Sequence, residues 1–247
     1  MSADQQGLPS VWTRPQRSRR DQPALSRDQI VSAALELLDA EGIDALSMRR
    51  LGTRLNAGAT SMYSHVANKD ELIELVVDHV YGEVDLTGIE GTTDWRAAVN
   101  RIAHGLRDGF LRHPWIASVL GQVGTASLGP NLLRLSEALL GVFEEGGYPL
   151  EAAAQGMSTI SGYVIGVAST EAAWLTLLAR SGQSQQEWVE RFWPAAEQAV
   201  QGYPRMRRLY AAQREGFDVD SNRGDNFDEG LACILDGLEA RLERPGD

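Results

Sequence analysis

A chain of 247 residues, 43% of them hydrophobic, is long enough for one large or two modest domains with real cores. It has no run of eighteen uninterrupted apolar residues and no apolar stretch near its start, which argues against a membrane span and against secretion; a cytoplasmic location is expected. The formal charge of −11 is unevenly spread, because residues 1–69 carry nine basic and seven acidic groups and the acidic excess lies beyond them. That split suits a weakly basic head on an acidic body, and it equally suits a protein kept acidic for solubility.

Two further features of composition bound the reading. Of the 23 basic residues only Lys69 is a lysine, a skew expected of a GC-rich genome and not of a design for phosphate. The lone cysteine, Cys233, excludes an internal disulfide, and its apolar neighbours predict a small core residue.

Residues 1–24 hold Gly7, Pro9, Pro15 and Pro23 among Arg14, Arg17, Arg19 and Arg20, a composition that builds no core. This tail is either a basic arm for nucleic acid or simply solvated. Trp12 within it has no physical explanation. Residues 26–41 predict an amphipathic helix, with Ile30, Ala34, Leu37 and Leu38 on one face. Ser26 and Gln29 have capping-box spacing, and Gly42 follows the end.

The stretch 46–66, LSMRRLGTRLNAGATSMYSHV, then reads as helix, turn, helix. Ser47 is placed to cap the first helix, which turns Met48, Leu51 and Leu55 inward. Asn56, Ala57, Gly58 and Ala59 form the break, and Thr60 is placed to cap the second helix. That helix has only Met62 and Val66 to bury; Ser61, Tyr63, Ser64 and His65 are left to make hydrogen bonds. A seven-residue helix with so little apolar surface needs work for its outer face, and its size fits the major groove of DNA. Asn68-Lys69-Asp70-Glu71 opens another helix, carrying Leu72, Ile73, Leu75, Val76 and Val80.

Asp85 to Asp94, rich in Gly and Thr, predicts a boundary, with domains expected over 25–84 and 85–247 after the tail 1–24. Asp94 is placed to cap a helix over 95–112, which Pro114 ends. A short helix over 115–122, a loop over 121–129 and a helix over 132–145 follow. Residues 150–179 form one long helix rich in small residues. Pro194 should break the helix expected over 183–202. A helix over 206–215, a polar loop over 218–225 and a strongly periodic helix over 227–242 complete the chain. Strand-like alternation persists nowhere, so the fold expected is all-α: a three-helix helix-turn-helix head and a C-terminal helical bundle.

The pieces ALELLDAEGIDALSMRRL and MYSHVANKDEL, within a span of roughly residues 25–84, resemble the DNA-binding domain of the TetR (tetracycline repressor) family. The resemblance implies a homodimeric, ligand-responsive regulator of transcription, a repressor that binds a palindromic double-stranded operator. It assigns DNA contacts to Ser61, Tyr63, His65 and Lys69, with Arg49 and Ser47 from the preceding helix; Thr60 and Ser64 share the same surface. Tyr63 and Lys69 would grip phosphates, and Arg49 could pair with a guanine edge. Tyr63 could instead pack on the head's own core, and His65 could act as a local cap. Ala59 and Ser64 are smaller than the residues many relatives carry there, which leaves the bases read open.

The resemblance also implies pairing through the long helix and the last one as a four-helix interface, using Gly166, Ala173, Phe227, Leu231, Ile234 and Leu238. A pocket for an unidentified small molecule would be lined by His104, Phe110, Trp115, Met157, Tyr163 and Trp174. The four histidines show no ligand spacing, so neither metal nor cofactor is expected, and the magnesium-chelate site of tetracycline-responsive relatives has no match. No nucleophile elbow, phosphate loop or paired carboxylates favour an enzyme. The competing reading is a helical small-molecule-binding protein or enzyme whose head binds protein rather than DNA.

Overall fold

The computed structural model describes residues 25–120, 128–214 and 219–242, and every regular element among them is helical. The tail, its four arginines, Trp12 and most of the loop expected over 121–129 lie outside these residues. Helix α1 (Arg27–Glu41) begins with the expected box: Ser26 Oγ accepts from the Gln29 N–H while Gln29 reaches back to the Ser26 N–H. Its inward face, Ile30, Ala34, Leu37 and Leu38, is at most 1% exposed. Burial of each such large side chain contributes roughly 1.5–3 kcal/mol, so this face anchors the head.

Short helices α2 (Met48–Arg54) and α3 (Ala59–His65) pack on one another, and α2 also rests on α1. Helix α4 (Lys69–Gly82) starts at Asn68, whose side chain accepts from the Glu71 N–H. It packs against α1 on one side and against α5 (Trp95–Arg112) and α6 (Pro130–Glu145) on the other, which makes it the shared wall of head and body.

One buried carboxylate fixes that wall. Asp78 of α4, 5% exposed, accepts from the backbone N–H groups of Asn131 and Leu132 and from the Asn131 amide. A side chain from another helix thereby caps α6, whose own N-cap, Gly129, has none to offer.

Asp94 caps α5 as expected, through the Ala97 N–H. Pro114 does not lead into an α-helix over 115–122. It opens a 3₁₀ turn, Pro114–Ser118, that packs against α1. Helix α7 (Leu150–Ser181) runs unbroken for 32 residues. It is long and apolar enough by composition to cross a membrane, yet within it Glu171 is 7% exposed and forms a bidentate pair with Arg107 of α5, at 2.9 and 3.0 Å. In such a buried pair the cation and the anion satisfy each other.

The chain divides after Ala172, inside α7, into two compact units. The second contains α8 (Gln185–Ala199), α9 (Pro204–Arg214) and α10 (Val219–Leu242). Pro194 lies inside α8 and does not end it. A proline there removes one helix hydrogen bond at a cost of about 3 kcal/mol. Its neighbour Trp193 is 8% exposed and meets Phe192 and Tyr210 edge-on, and that aromatic packing holds the turn in place. The polar loop expected over 218–225 is helical from Val219 onward. Its residues carry no apolar period to read, and an established helix extends through weak helix formers such as Asn222 and Gly224. Cys233 is exposed and not in the core, because it falls off the stripe of Phe227, Leu231 and Leu235.

Candidate nucleic-acid interface

The α2–α3 corner is built from its turn outward. Ser47 Oγ accepts from the Arg50 N–H and so caps α2. Leu51 (0% exposed) and Gly52 face inward. The turn closes with the Ala57 N–H donating to the Gly52 carbonyl at 2.9 Å. Gly52 permits this approach, since a Cβ there would stand 3.2 Å from the Ala57 carbonyl oxygen. Asn56 takes the left-handed conformation, φ 48°, which asparagine tolerates better than most residues.

Gly58, in extended backbone, is the N-cap of α3. The expected Thr60 cap is therefore corrected: the helix has already begun at Ala59, and Thr60 lies in its first turn. Met62 and Val66, at 1% and 0% exposure, are the inward anchors of α3.

The outward side chains gather around a cleft of about 500 Å³ lined by Met48, Arg49, Gly52, Thr53, Asn56, Ala57, Gly58, Met62 and Tyr63. Tyr63 is 52% exposed, so it does not pack into the head's core. Ser47 and Ser64 are exposed, the Ser64 hydroxyl donating to the Ser61 carbonyl, while Ser61 and His65 are half-buried. Lys69 reaches the Ile43 carbonyl at 3.3 Å.

The three arginines of α2 differ. Arg50 is paired with Glu41, and Arg54 with Glu36 at 2.7 Å, both glutamates on α1. Arg49 is exposed and makes no side-chain hydrogen bond or ion pair among the described residues. Two cations are thus held by the head itself, while the third stands open at the edge of the cleft.

The six residues expected to line a ligand pocket serve varied ends. Phe110 is 1% exposed and meets Tyr81 edge-on. Trp115 is 5% exposed, and its indole N–H donates to Asp39 of α1 at 2.8 Å. His104 Nδ1 lies 2.9 Å from the Asn100 carbonyl; Met157 and Tyr163 are half-buried on α7. Trp174, in the second unit, stands edge-on to Trp188, their rings 4.1 Å apart. Of the residues expected to pair two chains, Phe227 and Leu231 are buried within the chain at 0% exposure. Gly166 and Ala173 are exposed, and Ile234 and Leu238 half-buried.

Residues 87–242 match the family described as Tetracyclin repressor-like, C-terminal domain, and residues 30–76 match the bacterial regulatory proteins of the tetR family. The chain belongs to the TetR family. It is a DNA-binding regulator of transcription and not an enzyme. A relative, an HTH-type transcriptional regulator of Saccharopolyspora erythraea, is 40% identical over 95% of this chain and 94% of its own length. The HTH-type transcriptional repressor DrrR1 of Streptomyces coeruleorubidus is 32% identical over 97% and 87%. Among solved structures, the TetR family protein ActR of Streptomyces coelicolor in complex with actinorhodin superposes with a TM-score of 0.70, at 32% identity over 88% of this chain and 98% of that one.

Three residues that join distant elements escaped the sequence reading: Asp78, Glu83 and His113. Asp78 had a signal, a carboxylate inside the apolar run Val76-Val77-Asp78-His79-Val80. The other two had none, since the partners of His113 lie 30 and 74 residues away along the chain.

Proposed function

We propose that this chain is a homodimeric cytoplasmic repressor that holds a palindromic operator through two α2–α3 corners and releases it when a small molecule enters the bundle. The observation that carries the reading is the open Arg49 guanidinium beside the exposed Tyr63 on one cleft. Arg49 reads a guanine edge. Tyr63 and Lys69 take phosphates, as do Ser47 and Thr60 at helix starts, and Ser61, Ser64 and His65 complete the surface.

Pairing is supported by α7, since only 22% of its most apolar stretch is buried within the chain. Apolar surface on that scale calls for a partner, and Ala173 on α7 with Ile234 and Leu238 on α10 form the proposed contact. The effector is an apolar or amphipathic molecule, and the relative in complex with actinorhodin makes that compound the first to try. Its site is proposed around His104, Phe110, Trp115, Met157 and Tyr163.

The test is selection of genomic fragments with the purified protein, followed by titration of salt and actinorhodin. Recovered sites should be palindromic, and affinity should fall steeply between about 50 and 200 mM salt. Failure to retain any fragment, or a flat salt response, refutes operator binding; retention of the fragment at saturating actinorhodin refutes only that effector.

A further inference from the structure

A second hollow, of about 510 Å³, lies beside the reading cleft, and Arg49 and Thr53 line both. Leu37 from α1 and Ser47, Arg50 and Arg54 from α2 and its cap complete the wall. Three arginines, a serine and a threonine against a single leucine make a lining suited to anions.

Carboxylates from α1 already hold two of these arginines. Glu41 accepts from Arg50, and Glu36 accepts from Arg54 at 2.7 Å. Both contacts are open to water: the side chains of Arg50 and Glu41 are 48% and 43% exposed, and those of Arg54 and Glu36 are 46% and 66% exposed. Ion pairs this exposed add little to folding stability, because water and salt screen them and two long side chains must be held still. The partners can therefore be exchanged at small cost.

The exchange favours DNA. Each guanidinium meets its glutamate through one carboxylate oxygen, whereas the same planar fork grips two oxygens of a phosphate. A phosphate neutralised on a duplex also sets condensed counterions free, a gain that a lone glutamate cannot match. The released carboxylates return to solvent that already reaches them.

We propose that Arg50 and Arg54 are contacts for the phosphate backbone of the operator, and that Glu41 and Glu36 are competing anions within the head, holding the two arginines until DNA displaces them. The arginines stand about one turn apart on α2, on the side that faces α1, and so add a row of contacts to the cleft of Arg49 and Tyr63. Such contacts set affinity and register but carry no base sequence. The proposal rests on operator binding.

The experiment measures the affinity of the full chain for a selected fragment, and for a scrambled duplex of equal length, between about 50 and 200 mM salt. Arg50→Gln with Arg54→Gln should lower the slope of log K against log salt by about 0.9 for each of the two phosphates, and weaken both duplexes alike, on the order of tenfold to a hundredfold near 0.1 M salt. Glu36→Gln with Glu41→Gln should keep the wild-type slope and tighten both duplexes about threefold to tenfold, the strength of two exposed ion pairs. Added to the arginine changes, the glutamate changes should have no further effect, because no arginine is left to release. Far-UV circular dichroism checks folding; if the arginine pair does not fold, Arg50→Gln and Glu41→Gln, singly and together, carry the same comparison. A slope that the arginine changes leave untouched, or a glutamate effect that persists without the arginines and so reports bulk charge, overturns the proposal. A wild-type chain that retains no DNA sinks operator binding and this proposal together, whereas wild-type binding with either of those two results sinks this proposal alone.

Discussion

Asp78 Oδ1 sits 3.0 Å from the backbone nitrogen of Leu132, so a carboxylate on the connecting helix α4 caps α6, a helix that starts some fifty residues later. The contact leaves no slack. A Cβ added to Gly129 would stand 2.0 Å from Asp78 Oδ1.

Gly129→Ala should therefore force the cap open. We expect a loss of about 1–3 kcal/mol, typical of overpacking in a filled site. Urea unfolding checks this, and Gly58→Ala, where a Cβ would meet nothing within 4 Å, is the control.

Arg49→Ala should weaken operator binding by about 1–3 kcal/mol, roughly fivefold to 150-fold, if the guanidinium reads a base. Arg49 has no internal partner among the described residues, so the unfolding midpoint should stay where it is. Fluorescence anisotropy on a selected fragment, beside a thermal melt, separates the two effects. Tyr63→Phe should lose less, as expected for a hydroxyl that holds a phosphate.

Glu83 links stability to acid. Its carboxyl lies below the ordinary range in the folded chain, so the unfolded chain binds the proton more readily. The stability it contributes is complete above the unfolded value and is lost as pH falls through the folded one. Urea unfolding below pH 5 should show a shallower acid loss for Glu83→Gln than for wild type.

Tyr81 gives the opposite limb. Burial, and then the negative charge of Asp78, push its phenol from 10.0 to about 12. The unfolded chain releases this proton first, so the stabilisation is complete below the unfolded value and disappears as pH rises through the folded one. Ultraviolet titration of the native chain should show one tyrosine ionising late, and Tyr81→Phe should remove that step.

The reading head was legible because its signals are local. Ser26 with Gln29, Ser47, and the sparse anchors Met62 and Val66 each act within a few residues, and each stands where its spacing placed it. The misplaced cap at Thr60 is also local in origin: a hydroxyl and a glycine two residues apart both suit a helix start, and the glycine took it. What could not be read depends on chain distance. Nothing near Trp115 announces Asp39, and Phe227 and Leu231 show an apolar stripe without saying what covers it. The helix beginning at Val219 was hidden for another reason, since its first residues carry no apolar period at all.

Among the described side chains of α3 and its C-cap, Met62 and Val66 are buried while Tyr63 and Ser64 stand exposed. A library that randomises positions 63 and 64 while keeping those moorings should yield mostly folded proteins. The address recognised by this switch could then be rewritten without redesigning the machinery behind it.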